Sequence, residues 1–470
     1  MKSERGRSSF LAVAMPPALV KFIQHDTYSL LIKGHAGTGK TTLALTILRA
    51  LESRDSFFYI STRISPKQLF QYYPWLSRFI EQPPRSLERK GSSSGQAMRP
   101  TFEDARLDEP ESLFERITNQ LMDIKSPVII IDSWDAIAAF MDKEARLNNE
   151  RVLQTWRERA GAKLIFISEN PDDTTLDFLV DGIVELKQSH YENTRIREIA
   201  LLKLRGVRID RPSFVYTLEN SLFRSFAPYK TFELRPSHKR SIKPGSEILT
   251  ADKVRSGYSR LDYALGGGLP RKGLVLLELD PHVNTSVAMA FLGGLVSNFV
   301  SSGNPVLFQP FDWVDPLGIM RYLQKLIPSE RKNLFKILWS KKVSGLADSL
   351  IVPSRKLAPA TAAVEKLKKK YQDKVLLNIM GTDMLKQSDK GANLGGILEE
   401  LMSAARKGDL SIAVISRSQT EVLQYLSELS DVHLRILMIN DTLFLQPVAP
   451  SSTLFALVLD GNEMELEPIV

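Results

Sequence analysis

The chain has 470 residues, too many for one ordinary hydrophobic core, so we expect two domains. Hydrophobic residues make up 43% and charged residues 25%, which are values of a globular protein and exclude a largely disordered one. Cysteine is absent, which excludes disulfide scaffolds, thiolate metal sites and thiol nucleophiles. The net charge of +8 is modest for this length, and a solvated surface explains it better than a polyanionic partner does.

Residues 1–14 are predicted to form an N-terminal tail on a cytoplasmic protein. They are basic and then apolar, like a secretory signal, but Pro16 and Pro17 end the apolar stretch early. Met15 is an alternative start of translation. No apolar run in the chain reaches the roughly 18 residues that a membrane helix needs, so we expect no membrane partner.

Short apolar segments alternate with amphipathic ones through the first half of the chain. The apolar segments that predict strands are Ser29–Lys33, Phe57–Ser61, Pro127–Asp132 and Lys163–Ser168. A helix is predicted over Thr41–Leu51. Strands that alternate with helices form parallel sheets covered on both faces, so we predict an α/β domain over residues 15–228.

The second half repeats this plan. Its predicted strands are Leu274–Leu279, Pro305–Gln309, Lys374–Ile379 and Ser411–Ser416, and a helix is predicted over Ser286–Val300. The segment of residues 229–250 is basic and contains prolines, as is typical of a linker between domains. We therefore predict a second α/β domain over residues 251–470.

One segment of the first half fits the phosphate-binding pattern G-x-x-x-x-G-K-[ST]. It follows a predicted buried strand and opens a predicted helix, as this motif requires. Its glycines let backbone N–H groups turn toward phosphates, and the helix N-terminus adds a favourable dipole. Lys40, expected to be exposed, would supply a positive charge. The predicted ATP site consists of Gly34, His35, Ala36, Gly37, Thr38, Gly39, Lys40, Thr41 and Thr42.

An acidic residue completes this site. The four apolar residues 128–131 lead directly to Asp132, so a buried strand would deliver its carboxylate to the sheet edge where ligands of such folds bind. There Asp132 and the hydroxyl of Thr41 would hold Mg²⁺. Many strands end in an aspartate, but together with the loop the pattern indicates a Mg-nucleotide site. The six histidines show no metal-ligand spacing.

These motifs resemble those of a known family. With Ser168–Glu169 and the segment Leu201–Gly206, they are similar to the RecA-fold ATPases of the KaiC type, and within them to the group related to the gas-vesicle regulator GvpD. The segments Ser256–Asp262 and Gly266–Pro270 resemble the start of a second KaiC-type domain. The resemblance implies tandem RecA-like P-loop domains with mostly parallel sheets, a homo-oligomer and an unidentified regulatory protein partner.

Two cations belong to this resemblance. In the family, a Lys and an Arg of the Lys-Leu-Arg-Gly element reach the γ-phosphate held by a neighbouring subunit, and Lys203 and Arg205 occupy those places. They are therefore counted, with Lys40 and Asp132, among the catalytic candidates. The alternative is that they are basic residues of an edge strand, where charge discourages pairing.

The first domain departs from the family at one point. A pair of glutamates that polarises the attacking water is expected after the second strand, but the chain has Arg63 and Ile64 there. Hydrolysis should then be slow or should use another base, because positioning and charge neutralisation still permit a residual rate. Arg63 itself is either a surface or ion-paired arginine or a phosphate contact.

The second domain departs further, because its phosphate loop is lost. The corresponding segment, Leu279–Ser286, contains no glycine, and Thr285 stands in place of the lysine. Asp280 would repel a phosphate. Ser286 is better explained as a residue of a helix N-cap region than as a magnesium ligand. We expect a degenerate domain without nucleotide.

The sequence thus predicts a regulatory ATPase that uses ATP and Mg²⁺ in its first domain to control assembly or partner binding. One alternative is a DNA-binding, recombinase-like ATPase, which the net charge allows but which lacks a recognisable DNA-binding domain or a basic loop with interleaved aromatics. The other alternative is an interaction protein in which ATP is only structural.

Overall fold

The computed structural model describes residues 15–51, 57–81, 101–106, 109–121, 124–141, 152–153, 155–231, 252–309, 316–339, 351–353, 358–381, 402–403, 405–407, 409–417, 420–460 and 463–470. The predicted tail and most of the predicted linker lie outside these residues. The chain divides into two compact units. The first unit is residues 1–227 with Ile469–Val470, and the second unit is residues 228–468.

The first unit contains one large sheet. Its strands are β1 (Tyr28–Gly34), β2 (Phe57–Ser61), β3 (Thr101–Asp104), β4 (Val128–Asp132), β5 (Lys163–Ser168), β6 (Gly182–Tyr191), β7 (Thr194–Leu204), β8 (Ser213–Thr217) and β9 (Arg224–Ser225). Its helices include α1 (Pro17–Ile23), α2 (Lys40–Ala50), α3 (Pro66–Tyr72), α4 (Pro74–Glu81), α5 (Pro110–Leu121) and α6 (Trp134–Ala138), with a short 3₁₀ helix at Glu219–Ser221. The four strands predicted in this half correspond to β1, β2, β4 and β5, and the predicted helix corresponds to α2.

The strands lie in the order β3-β2-β4-β5-β1-β6-β7-β8-β9. Those from β3 to β6 are parallel to their neighbours, and β7 to β9 extend the sheet as antiparallel strands. Residues of α1 and α2 pack on one face of the sheet, and residues of α5 and α6 pack on the other. The central strand β1 is buried along its whole length because both faces are covered.

The second unit contains one large sheet and a separate two-stranded sheet. Its strands are β10 (Lys253–Val254), β11 (Leu269–Pro270), β12 (Gly273–Leu279), β13 (Val306–Gln309), β14 (Phe335–Trp339), β15 (Ile351–Pro353), β16 (Leu377–Gly381), β17 (Leu410–Ser416), β18 (Val432–Ile439), β19 (Thr442–Ala449), β20 (Phe455–Asp460) and β21 (Glu463–Pro468). Its helices include α7 (Ser259–Ala264), α8 (Thr285–Ser301), α9 (Pro316–Leu326), α10 (Ala358–Lys370) and α11 (Thr420–Leu429), with a 3₁₀ helix at Ser329–Leu334.

The two sheets share one topology. The large sheet of the second unit has the order β15-β14-β13-β16-β17-β12-β18-β19-β20-β21, so β12 lies between β17 and β18 as β1 lies between β5 and β6. Apart from β15, each strand of this large sheet takes the place of one strand in the first unit, and β10 and β11 form the two-stranded sheet. The chain is therefore a tandem of RecA-like α/β domains with mostly parallel sheets, as the sequence predicted. Among the described residues, no helix is both long and apolar enough to span a bilayer.

Candidate functional site

The predicted phosphate loop connects β1 to α2, and its backbone depends on glycine. Gly39, the residue before α2, has a φ of 91°, and a Cβ there would lie 2.6 Å from a methyl carbon of Leu218. At Gly34 a Cβ would lie 2.5 Å from the carbonyl oxygen of Leu186. No side chain among the described residues caps α2 at Gly39. The N–H groups of its first turn are thus in the orientation that binds anions.

The loop is supported from beneath by an aromatic side chain. The buried hydroxyl of Tyr216 on β8 donates a hydrogen bond to the carbonyl oxygen of Thr38, at 2.5 Å. The ring of Tyr216 stacks on Phe223, with ring centroids 4.5 Å apart. At the start of α2, the hydroxyl of Thr42 lies 3.0 Å from that of Tyr73. These contacts hold the loop in one shape while His35, Ala36 and Gly37 stay exposed.

Lys40 is buried, whereas the sequence led us to expect an exposed lysine. Only 5% of its surface is accessible, because Nζ folds back under the loop and donates to the carbonyl oxygen of His35 at 2.9 Å. Burial lowers the pKa of Lys40, and the negative charges of Glu169 and Asp132 oppose this shift in part. The carbonyl oxygen that accepts from this ammonium is neutral, and a phosphate could replace it with a stronger, charged acceptor.

The structure brings Thr41 and Asp132 into contact. The hydroxyl of Thr41 donates to Oδ2 of Asp132 at 2.6 Å, and the hydroxyl of Tyr59 donates to the same oxygen at 2.6 Å. Burial raises the pKa of Tyr59 well above its usual value, and the charge of Asp132 adds to this shift. Tyr59 thus remains a donor that orients the carboxylate.

This pair of oxygen donors fits magnesium. Mg²⁺ prefers hard oxygen ligands and usually takes one or two from a protein, leaving its other positions to water and phosphate. Thr41 and Asp132 offer such a set. No group of three or more His, Cys, Asp or Glu side chains that could hold a metal unaided occurs in the part of the chain that the structure describes.

Next to this pair, Arg63 and Glu169 form an ion pair. Their closest nitrogen and oxygen atoms are 2.6 Å apart, and Arg63 is about half exposed. Asp135 on α6 accepts hydrogen bonds from the backbone N–H of Glu169 at 2.5 Å and from the hydroxyl of Ser168 at 3.0 Å. Of the two readings of Arg63, the structure shows the ion-paired one. The sequence did not reveal that its partner would be a carboxylate beside the phosphate loop.

Lys203 and Arg205 lie away from this cluster. Nζ of Lys203 donates to the carbonyl oxygen of Asp177 at 2.7 Å, and Arg205 donates to Oδ1 of Asp181 at 3.3 Å. Asp181 also binds the backbone N–H of Ser29, near the start of β1. The phosphate loop begins five residues later, about 16 Å along the strand. Arg205 is therefore held at the end of β1 opposite the loop, and Lys203 is bound to Asp177 and has no hydrogen bond to the loop among the described residues.

In the second unit, the loop after β12 is closed by its own side chains. Oδ1 of Asn284 accepts the backbone N–H of Ser286 at 2.8 Å, so Asn284 caps α8. Oδ1 of Asp280 accepts the N–H of His282 at 3.1 Å. Ser286 was expected in a helix N-cap region, and it lies in the first turn of α8, where it donates to the cap.

Beneath that loop lies a buried charged cluster, which the sequence analysis missed. Oε2 of Glu278, a side chain with no exposed surface, is 2.9 Å from Nε2 of His433 and 3.0 Å from Nε of Arg435. Arg417 lies 3.6 Å from its other oxygen. Burial alone would raise the pKa of Glu278, but the hydrogen bonds from His433 and Arg435 outweigh it, and the pKa is lowered. A single acidic residue within an apolar strand was the available signal.

Comparison with known proteins agrees with this geometry. Residues 19–205 match the family model described as the P-loop domain of the GvpD gas vesicle protein. The chain is 26% identical over 294 residues to Protein GvpD2 and 27% identical over 326 residues to Protein GvpD1, both of Halobacterium salinarum, and these matches cover 60% and 63% of it. It is 23% identical over 283 residues, 57% of its length, to the circadian clock protein KaiC3 of Synechocystis. The matches span 58%, 56% and 53% of the three relatives, little more than half of each.

Proposed function

We propose that the first unit, whose residues 19–205 match the P-loop domain of the GvpD gas vesicle protein and which is similar to KaiC proteins, binds Mg-ATP and hydrolyses it slowly. The observation that carries the proposal is the 2.6 Å contact between the hydroxyl of Thr41 and the carboxylate of Asp132, beside a glycine loop that opens an uncapped helix. Hydroxyl, carboxylate and unpaired helix N–H groups together are the protein half of a Mg-nucleotide site.

Each residue of the site has a role that follows from its contacts. The loop from Gly34 to Gly39 surrounds the phosphates with backbone N–H groups. Lys40 exchanges the carbonyl oxygen of His35 for a phosphate oxygen, a stronger acceptor because it is charged. Tyr59 fixes the carboxylate of Asp132, which with Thr41 would hold Mg²⁺. When bound, that ion neutralises charge on the phosphates.

The proposed role of this ATPase is regulatory and cytoplasmic. Bound ATP would change the assembly of the protein into a homo-oligomer, or its contact with a regulatory protein partner. Lys203 and Arg205 support an oligomer because both side chains bind groups of residues 177–181 in their own chain, and the family resemblance assigns them to the phosphates of a neighbouring subunit. Size-exclusion chromatography with and without Mg-ATP tests assembly, and an elution volume that ATP leaves unchanged contradicts it.

The binding site itself is tested by calorimetry with Mg-ATP. Lys40→Ala removes a charged hydrogen bond to phosphate, so we expect affinity to fall by about 100-fold. Lys163→Ala is a matched control, because burial also lowers the pKa of this lysine, but it lies at the start of β5 opposite Tyr28, at the other end of the strands from the phosphate loop. It should bind ATP like the wild type. Wild-type affinity in Lys40→Ala contradicts the proposal.

Turnover separates an ATPase from a protein that uses ATP only as a structural ligand. We expect a rate well below the enzyme median of about 10 s⁻¹, because Arg63 stands where a carboxylate is expected. If the wild type releases phosphate from ATP and Asp132→Ala does not, the result supports hydrolysis at this site. Binding without any release of phosphate supports the structural role of ATP.

A further inference from the structure

The ion pair of Arg63 and Glu169 lies at the carboxyl edge of the sheet, beside the strand that delivers Asp132. In the sheet, Asp132 is paired with Ser61 of β2 on one side and with Ile167 of β5 on the other. Arg63 and Glu169 each follow those partners by two residues. Both therefore project from the carboxyl edge of the sheet on either side of the strand that delivers Asp132, the edge at which ligands of parallel sheets bind.

Glu169 is held in place by more contacts than Arg63 is. The backbone of Glu169 is fixed by the carboxylate of Asp135, which also binds the hydroxyl of the preceding Ser168. Arg63 follows the end of β2, and about half of its side chain is exposed. A half-exposed ion pair of this kind contributes little net stability, because water solvates both charges well. The guanidinium can therefore leave Glu169 for a more strongly charged acceptor.

Both groups are also close enough to act on Lys40. Burial lowers the pKa of Lys40, and among the charges that counter this effect the carboxylate of Glu169 is stronger than that of Asp132, which touches the next residue, Thr41. Arg63 lowers the pKa of Lys40 further. The ion pair thus lies within the electrostatic reach of the ammonium that would bind the phosphates.

We propose that Arg63 and Glu169 form a pair that responds to the γ-phosphate: the γ-phosphate of ATP takes the guanidinium of Arg63, and the freed carboxylate of Glu169 activates the attacking water. This inference rests on the proposed function, since it requires ATP in the phosphate loop. Glu169 would then be the alternative base that hydrolysis needs, because the chain has Arg63 and Ile64 where the glutamate pair is expected. Arg63 would have both of the roles considered for it, ion pair before ATP and phosphate contact after.

In the proposed reaction, water hydrolyses the bond between the γ- and β-phosphates of ATP. The oxygen of water bonds to the γ-phosphorus while Glu169 accepts a proton from that water. The bond between the γ-phosphorus and the oxygen that bridges it to the β-phosphate breaks, and its electron pair leaves with ADP. The proton then passes to the released phosphate or to solvent. Because ADP has no γ-phosphate, Arg63 returns to Glu169 and the carboxylate is neutralised until ATP binds again.

Arg63 is tested by the ratio of ATP to ADP affinity, measured by calorimetry. Arg63→Gln removes a charged contact that only ATP can use, so we expect ATP binding to weaken by about tenfold and ADP binding to stay unchanged. Arg106→Gln is the matched control, because Arg106 also pairs with a carboxylate, Asp104, at 2.6 Å and is similarly exposed. It should keep the wild-type ratio. Arg63→Lys keeps the charge but cannot form a bidentate hydrogen bond, so it should restore the ratio of ATP to ADP affinity only in part.

Glu169 is tested by separating turnover from binding. Glu169→Gln keeps the shape of the side chain but cannot accept a proton, so we expect turnover to fall by about 100-fold. ATP affinity should rise a few-fold instead of falling, because Arg63 no longer has a carboxylate to leave. In the double variant the two effects on ATP affinity should not add, since each single change already breaks the same contact.

The outcomes distinguish this inference from the proposed function. If ATP binds to the wild type and not to Lys40→Ala, but Arg63→Gln keeps the wild-type ratio of ATP to ADP affinity, the inference fails and the ATP site stands. Undiminished turnover in Glu169→Gln overturns the role of Glu169 as the base. If the wild type binds no ATP, both proposals fail. If it binds ATP without measurable turnover, the affinity ratio of Arg63→Gln and the affinity of Glu169→Gln still decide.

Discussion

The central strands of the two units, β1 and β12, bury opposite charges at equivalent positions. Gly34 pairs with the fifth residue of β6, and Leu279 pairs with the fifth residue of β18, so Lys33 and Glu278, one residue earlier, correspond. Lys33 binds Asp177 at 2.7 Å and the carbonyl oxygen of Asp173 at 2.6 Å, both on a connecting segment. Glu278 binds His433 and Arg435 of the neighbouring strand.

The loops that follow these two strands also differ in how their polar groups are paired. In the first unit, α2 begins at a glycine without a side-chain cap, and its lysine is held by one carbonyl oxygen. In the second unit, Asn284 caps α8 and Asp280 accepts an N–H of its own loop. In the first unit the N–H groups at the start of α2 can bind a ligand. In the second unit, side chains of the loop itself accept hydrogen bonds from its N–H groups. The shared topology depends on the apolar strands that both units have, whereas the loops at the helix N-termini differ between them.

The largest expected difference between the units is nucleotide stoichiometry. We expect one ATP per chain, because the second loop has no glycine, no lysine and a proline, Pro281, that lacks an N–H. The carboxylate of Asp280 would also repel a phosphate. Equilibrium dialysis with Mg-ATP measures this number directly. Lys40→Ala should bring it from one to zero, whereas Thr285→Lys, which restores only the charge in the second loop, should leave it at one. Two ATP molecules bound per chain in the wild type would contradict the contrast between the two units.

The next effect in size concerns the buried charge of the second unit. Glu278→Gln removes the negative charge that binds Arg435 inside the unit, and breaking a buried ion pair from one side costs about 3 kcal/mol. Peptide-resolved hydrogen exchange should show faster exchange in β12, β18 and α8, and unchanged exchange in β1 and α2. Glu365→Gln, which loses a surface pair with Lys407, is the control and should change neither.

The same cluster predicts a dependence on pH, whose sign follows from the lowered pKa of Glu278. A carboxylate whose pKa is lower in the folded chain stabilises that chain above its ordinary pKa. The contribution is lost as the pH falls through the lowered value. Protection of β12 should therefore decline on acidification in the wild type, and Glu278→Gln should remove this component. An equal decline in both proteins contradicts the assignment.

The parts of the site that could be predicted from sequence are those encoded within one segment. The glycine spacing fixed the phosphate loop, and an apolar run that ends in an acid identified Asp132. The contacts that were missed join distant segments: Tyr59 reaches Asp132 across 73 positions and Glu278 reaches His433 across 155. Only the order of strands in the sheet brings such residues together, and single segments do not encode it. Burial of Lys40 was missed for a related reason, since its bond to His35 depends on the path of the loop.

The smallest expected effect comes from removing the side-chain cap at the start of α8. Asn284→Ala removes the side-chain cap of α8 and should cost about 1 kcal/mol, seen as faster hydrogen exchange in the first turn of that helix. Asn284→Asp keeps an acceptor and adds a negative charge where the helix dipole favours one, so it should be at least as stable as the wild type. Neither change should let the second unit bind ATP, because Pro281 and Asp280 remain. A second nucleotide per chain in Asn284→Ala would show that this one side chain, and not the whole loop, keeps the second unit empty.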